Sequence, residues 1–297
     1  MPDPPPQPAA GRARRRQPRV KSPLWAQAAL VLVAHGSERV AAAETATASH
    51  AKALGRRALF REVKACFLKA VPGPRETVAS LHSSSAYIVP CFMSRGYAAR
   101  TLVPQELGLA GPLTRLSRGA RQAAPLERVF YCDPVGTHPR LTEVIARHVE
   151  ETCRVHDLDP AAVSVLLVGH GTPRDPVSGE AARRHAARLE ERAGFARVRA
   201  AFLEEPPYLK DAAEGLGGRP TVAVGLFAEA GAHGEEDVPR LLGLGPAAGP
   251  PGRAAAGDGA ARIWYAGPIG PDPEIAEIVL DQVRAFDERY RAGEAGA

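Results

Sequence analysis

The chain has 297 residues, 45% of them apolar and 24% charged, the range of an ordinary soluble protein with room for two modest domains. Its formal charge of +5 is carried by the first stretch of the chain, where Arg12, Arg14, Arg15, Arg16, Arg19 and Lys21 face only Asp3, so the remaining body is near neutral. That removes the case for a basic nucleic-acid-binding fold, and with no apolar run reaching about 18 residues no transmembrane helix is expected.

Residues 1–23 are rich in proline and arginine without a periodic apolar pattern, and a disordered arm is expected there. The apolar segment that follows has the outline of a signal peptide, but it ends in His35-Gly36 instead of a small-residue cleavage site, and a twin of it lies in mid-chain. Strands and helices then alternate. Strands are expected at 28–34, 62–68, 86–93 and 129–132, and helices at 41–57, 75–82, 98–107 and 139–152, with a Gly/Arg-rich loop before the fourth strand. The plan repeats with strands at 163–168, 197–203, 221–227 and 263–266, and helices at 178–193, 208–216, 235–242 and 273–289. Such alternation predicts parallel sheets with helices on both faces. Cys66, Cys91, Cys132 and Cys153 lack C-x-x-C spacing and read as reduced core thiols, which fits a cytoplasmic protein.

The two halves match residue for residue. Adding 135 pairs His35 with His170, Gly36 with Gly171, Phe67 with Phe202, Phe92 with Phe227, Gly96 with Gly231 and Pro104 with Pro239. Later the offset is 134, pairing Pro134 with Pro268 and Pro139 with Pro273. This is an internal duplication. Two similar α/β domains are expected, at 24–154 and 161–293, facing each other and joined by a linker at 155–160.

The halves disagree where chemistry is expected. His170 closes the first strand of the second half, Glu204 closes the next, and His233 follows the third; the first half has Lys69 and Ala98 in place of Glu204 and His233. Right-handed crossovers return each parallel strand to the same edge, so the three side chains should meet at one rim. Two imidazoles and a carboxylate suit a borderline divalent metal, and equally a pair of bases with an acid. Taken singly, each has an ordinary alternative as a helix cap, a solvated loop acid or an exposed histidine. An α/β-hydrolase elbow, H-E-x-x-H and the phosphate-binding G-x-x-x-x-G-K motif are absent, and no arginine precedes either His-Gly pair as a histidine phosphatase would require.

As a set, V-G-H-G-T at 168–172, A-F-L-E-E-P-P-Y-L at 201–209, L-F-A-E-A-G-A-H-G-E-E-D-V-P at 226–239 and A-G-P-I-G-P-D-P at 266–273 resemble the sirohydrochlorin cobaltochelatase/ferrochelatase family of class II chelatases. A-H-G-S at 34–37 and V-P-C-F-M-S-R-G-Y at 89–97 resemble it more distantly. The resemblance implies two flavodoxin-like halves facing across a cleft, and ATP-independent insertion of Co²⁺ or Fe²⁺, with Ni²⁺ a further candidate, into a tetrapyrrole without an organic cofactor. It places the metal-binding histidines on His170 and His233 and their acidic partner on Glu204. His35, Arg39 and Arg174 are the expected substrate-side contacts, the arginines serving the substrate's carboxylates. A duplicated chain supplies both cleft walls itself, so a monomer is expected. A carrier that binds tetrapyrrole or metal in the same cleft without catalysis is the alternative.

Overall fold

The structure is a computed structural model, and it describes residues 23–37, 45–116, 126–215, 218–244, 253–256 and 262–290. The expected arm, Arg39, the start of the 41–57 helix and most of the Gly-rich stretches lie outside the described residues.

Each half builds one five-stranded sheet. In the first, β1 (Ala29–Ala34), β2 (Glu62–Phe67), β3 (Ser85–Pro90), β4 (Leu113–Arg115) and β5 (Arg128–Tyr131) are ordered β2-β1-β3-β5-β4. In the second, β6 (Ser164–Gly169), β7 (Arg197–Phe202), β8 (Thr221–Gly225), β9 (Arg253–Ala256) and β10 (Arg262–Pro268) are ordered β7-β6-β8-β10-β9. The registers repeat too, with Leu30 opposite Val63 and Val165 opposite Val198. β1 and β6 are interior strands and every residue of both is buried, which is why they read as unbroken apolar runs instead of alternating ones. The expected parallel sheets are formed, and each gains an antiparallel edge strand, β4 or β9, that the sequence reading left inside a loop. β4 has three residues, of which only Thr114 is buried, so it leaves no apolar pattern to detect.

The helices are α1 (Pro23–Gln27), α2 (Ala46–Gly55), α3 (Pro74–Ala79), α4 (Val103–Leu107), α5 (Leu141–Val155), α6 (Glu180–Arg192), α7 (Leu209–Glu214), α8 (Val238–Leu241) and α9 (Glu274–Tyr290). The helix expected at 98–107 is a π-helical turn, Ala98–Leu102, running into α4, and His233–Asp237 runs into α8 in the same way. Both carry a proline near the junction, Pro104 and Pro239. A proline ring clashes with the carbonyl four residues back, and the wider turn relieves that clash.

The halves do not close on themselves. α5, which ends the first half, packs on β8 and β10 of the second sheet, and α9, which ends the second, packs on β3 and α2 of the first. Phe286 of α9 lies against Tyr87 and Phe130, and Asp287 accepts hydrogen bonds from Tyr87 Oη at 2.5 Å and Trp25 Nε1 at 2.7 Å. One apolar core therefore runs from Trp25 through both sheets to Phe286. This exchange fixes the two carboxyl edges relative to each other.

Candidate functional site

On the second half's rim the duplicated plan delivers the three expected side chains to one place. His170, just past β6, has Nε2 3.8 Å from Glu204 Oε1, and its ring lies 4.8 Å from that of His233 at an interplanar angle of 83°. Each imidazole is oriented by its Nδ1–H. His170 donates to the Gly171 carbonyl at 2.8 Å, and His233 donates to Asp237 Oδ2 at 2.8 Å. In the neutral ring this arrangement leaves Nε2 with the lone pair by which imidazole binds a metal or takes a proton. The three side chains are about half exposed, so the rim is open. As placed, they do not close round one point, and among the described residues no three His, Cys, Asp or Glu side chains do.

Behind this rim sits Glu205, a buried carboxylate between the loop that carries His170 and the end of β7. It accepts from Thr172 N at 2.7 Å, Ser178 Oγ at 3.0 Å and Arg183 Nη2 at 2.7 Å. Gly171 adopts φ +68°, and a Cβ there would lie 2.5 Å from Glu205 Cγ, so the turn beside His170 requires glycine on both counts. Asp237 is held by His233 and Arg240, whose hydrogen bonds lower its pKa against a smaller opposing effect of burial.

The first half's rim is differently equipped. His35 packs on Phe92 at 4.7 Å, and Lys69 N donates to the His35 carbonyl at 2.8 Å. The surrounding protein, then Lys69, then His170 push His35 down to about 4, although the residue is exposed. His35 is therefore neutral at pH 7, and its ring is close enough to His170 to sense its charge.

Two clasps hold the rims opposite each other. Asp175, on the His170 loop, takes both carboxylate oxygens to Arg100 Nη2 at 2.9 Å, while Gly96 sits against Asp175 and Ser178. Conversely Glu229, ahead of His233, accepts from Ala46 N at 2.6 Å, Thr47 N at 3.2 Å and Thr47 Oγ1 at 2.5 Å, at the positive end of α2. In each clasp the third-strand loop of one half holds the first-strand loop of the other.

Of the expected substrate contacts, Arg174 is exposed in a turn with its N–H on Thr172 Oγ1, six residues before α6 begins; Arg39 lies outside the described residues. A separate cavity of about 360 Å³, bounded by Arg95, Tyr131, Asp133, Phe286 and Arg289, contains none of the candidate residues. The sequence reading missed Glu205, Asp237, Asp175 and Glu229. The comparison of halves that singled out Glu204 would have found all four, because the matched positions hold Ala70, Leu102, Val40 and Ser94.

Two similar α/β domains, each built on an open sheet, are the fold of the class II tetrapyrrole chelatases. The chain belongs to the CbiX family, whose model matches it twice, over residues 29–152 and 164–286. It is 32% identical over 277 residues to the probable sirohydrochlorin cobaltochelatase of Halobacterium salinarum, covering 90% of this chain and 94% of that one. The sirohydrochlorin cobaltochelatase of Methanopyrus kandleri is 36% identical over 138 residues, 41% of this chain and 95% of that protein. Among solved structures, DR2241 of Deinococcus radiodurans, a multi-domain protein with structural similarity to chelatases, superposes with a TM-score of 0.67 at 28% identity, over 86% of this chain and 54% of that one. This chain thus spans about half of DR2241. SirB from Bacillus subtilis with Fe³⁺ superposes with a TM-score of 0.67 at 18% identity, over 90% of this chain and 98% of that one, a likeness of fold.

Proposed function

We propose that this chain inserts a divalent metal ion, Co²⁺ or Fe²⁺, into sirohydrochlorin or a closely related tetrapyrrole, without ATP and without an organic cofactor. The observation that carries the reading is the convergence of His170, Glu204 and His233 with both imidazoles anchored through Nδ1. The names of the Halobacterium and Methanopyrus relatives support the substrate.

In this mechanism the metal is a substrate in transit. Neutral His170 and His233 hold it by Nε2 while it sheds water, and the half-open rim lets it leave toward the ring. Two pyrrolic protons must go as the ring nitrogens take over. Glu204, 3.8 Å from His170 Nε2, accepts one, and the imidazole released from the metal accepts the other. Glu205 and Asp237 hold the His170 loop and the His233 ring in place, and exposed Arg174 is a contact for the substrate's carboxylates, as is Arg39.

We assign 24–154 to the degenerate half, 155–160 to the link and 161–293 to the working half. One chain supplies both rims, which supports a monomer. Four buried free cysteines support a cytoplasmic location, and no described helix is long and apolar enough to cross a membrane.

The test is metallation of sirohydrochlorin followed by its absorbance spectrum with Co²⁺, Fe²⁺ and Ni²⁺, for wild type and His170→Ala. Acceleration by wild type that is lost in the variant supports the reading. Rates equal to the spontaneous reaction overturn it, and tight binding of metal or tetrapyrrole without acceleration identifies a carrier.

A further inference from the structure

The first half's rim is more than a lost copy of the second. Where the working half has Glu204, Pro206, His233 and Asp237, the matched positions of the first hold Lys69, Val71, Ala98 and Leu102. Every metal-ligating or acidic group in that set is replaced by a cation or an apolar side chain. The replacements are also presented to solvent. Val71 is 79% exposed, Leu102 37%, and Tyr97, next to Ala98, 55%. Lys69 is exposed, and no ion pair among the described residues engages it. Exposed large apolar side chains beside an exposed cation mark a surface that meets something amphipathic and anionic.

The position of this surface is fixed by contacts. Tyr97 opens the π-helical turn that the Arg100–Asp175 pair holds against the His170 loop, and Gly96 packs on Asp175 and Ser178. Lys69 N donates to the His35 carbonyl at 2.8 Å, and His35 in turn lies within range of the His170 charge. The apolar, cationic rim therefore looks across the cleft at the histidine rim.

Resting on the proposed chelatase activity, we infer that Lys69, Tyr97 and Leu102 form the wall that holds the substrate macrocycle. Tyr97 and Leu102 lie against the ring face turned away from the metal, and Lys69 pairs with a peripheral carboxylate. A flat ring bearing carboxylates needs an apolar bed and an edge cation. It also needs that bed to be free of competing metal ligands, or the ion would be shared between the two walls. Replacement of Glu by Lys69 and of His by Ala98 meets both requirements, and it gives the cleft a direction, with metal on one side and ring on the other.

The experiment is an absorbance titration of metal-free sirohydrochlorin into wild type, Lys69→Ala, Lys69→Glu and Tyr97→Ala, with Co²⁺ binding by calorimetry measured separately. Lys69→Ala should weaken macrocycle binding about tenfold and Lys69→Glu more, as a charge-assisted contact is lost and then reversed. Tyr97→Ala should weaken it roughly three- to tenfold through lost ring contact. Co²⁺ affinity should stay within about twofold in all three, since none of these side chains is a metal ligand in this arrangement. If wild type binds sirohydrochlorin and Lys69→Glu binds it equally well, the wall assignment is wrong while the chelatase reading stands. If the variants lose Co²⁺ affinity instead, the residues belong to the metal site and the assignment is wrong. If wild type binds no sirohydrochlorin, both fall together.

Discussion

The two halves of this chain keep one set of features in duplicate and a second set in a single copy. Kept twice are the strand order, the registers, the left-handed glycine after the rim histidine and the widened turn ahead of a proline. So is a buried latch. His50 Nε2 donates to the Gly270 carbonyl at 2.8 Å, and its counterpart His185 donates to the Gly136 carbonyl at 2.9 Å, each reaching from one half into the other. Kept once are Glu204, Glu205, His233 and Asp237. What recurs holds the backbone in place, and what differs lies at the second half's rim or directly behind it. A homodimer would have to carry the same side chains on both walls, whereas a fused duplicate is free to give each wall its own task.

The strongest way to break that comparison is to exchange the roles of the two rim histidines. On the proposed function, His170→Ala should lower kcat/KM for metallation at least about a hundredfold, because a metal ligand and its proton-accepting nitrogen are both lost. His35→Ala should cost less than about tenfold. Equal losses would show that the halves share the chemistry and that the single-copy residues mark something else. A structural counterpart concerns the exchanged helix α9. Phe286→Ala removes a buried ring that touches Tyr87 and Phe130 of the other half, and should cost about 3–5 kcal/mol. Denaturant unfolding followed separately near each sheet should stay coincident, since one core serves both halves; two separated transitions would mean that the halves fold independently.

The latch predicts a pH dependence. Burial is the main reason His185 is pushed down to about 4, with Arg188, Arg184 and His138 adding to it and the Gly136 bond opposing. Its Nδ1 accepts from Thr142 Oγ1 at 2.8 Å, so the folded state holds the neutral ring. The unfolded chain, with an ordinary histidine near about 6.5, binds the extra proton first as pH falls. The contribution is therefore fully present above about pH 6.5 and is lost as pH drops toward 4, at most roughly 3 kcal/mol. His185→Gln should flatten the stability profile in that window. A profile as steep as that of wild type would remove His185 as its source.

Much of the fold was legible in the sequence because central parallel strands are buried on both faces, which leaves runs such as A-L-V-L-V-A at 29–34 and S-V-L-L-V-G at 164–169 that end in His or beside it. The meeting of His170, Glu204 and His233 was legible for a related reason, since regular crossovers fix which strand ends share an edge. Two things were not. β4 and β9 pair through backbone groups at sheet edges and leave no pattern of their own. The exchange of α5 and α9 leaves the chain order untouched, because an amphipathic helix buries the same stripe on whichever sheet it meets, and only three-dimensional contacts say which.

The smallest of these effects is also the most specific to the comparison. Among the described residues the side chain of Asp237 hydrogen-bonds to His233 and Arg240, and its counterpart Leu102 has Ala98 where the imidazole would be. If Asp237 fixes the His233 ring so that Nε2 faces the cleft, Asp237→Ala should lower Co²⁺ affinity and kcat/KM ten- to about a hundredfold. Asp237→Asn, which keeps an oxygen that accepts the Nδ1–H but drops the charge, should lose less. Stability should change by no more than about 0.5 kcal/mol in either variant, because the pair lies at an open rim. A loss of stability in proportion to the loss of activity would instead make Asp237 a strut of the π-helical turn. The first half forms that same turn with Leu102 at the matched position, so the turn does not need the carboxylate, and the carboxylate is left with the ring as its task.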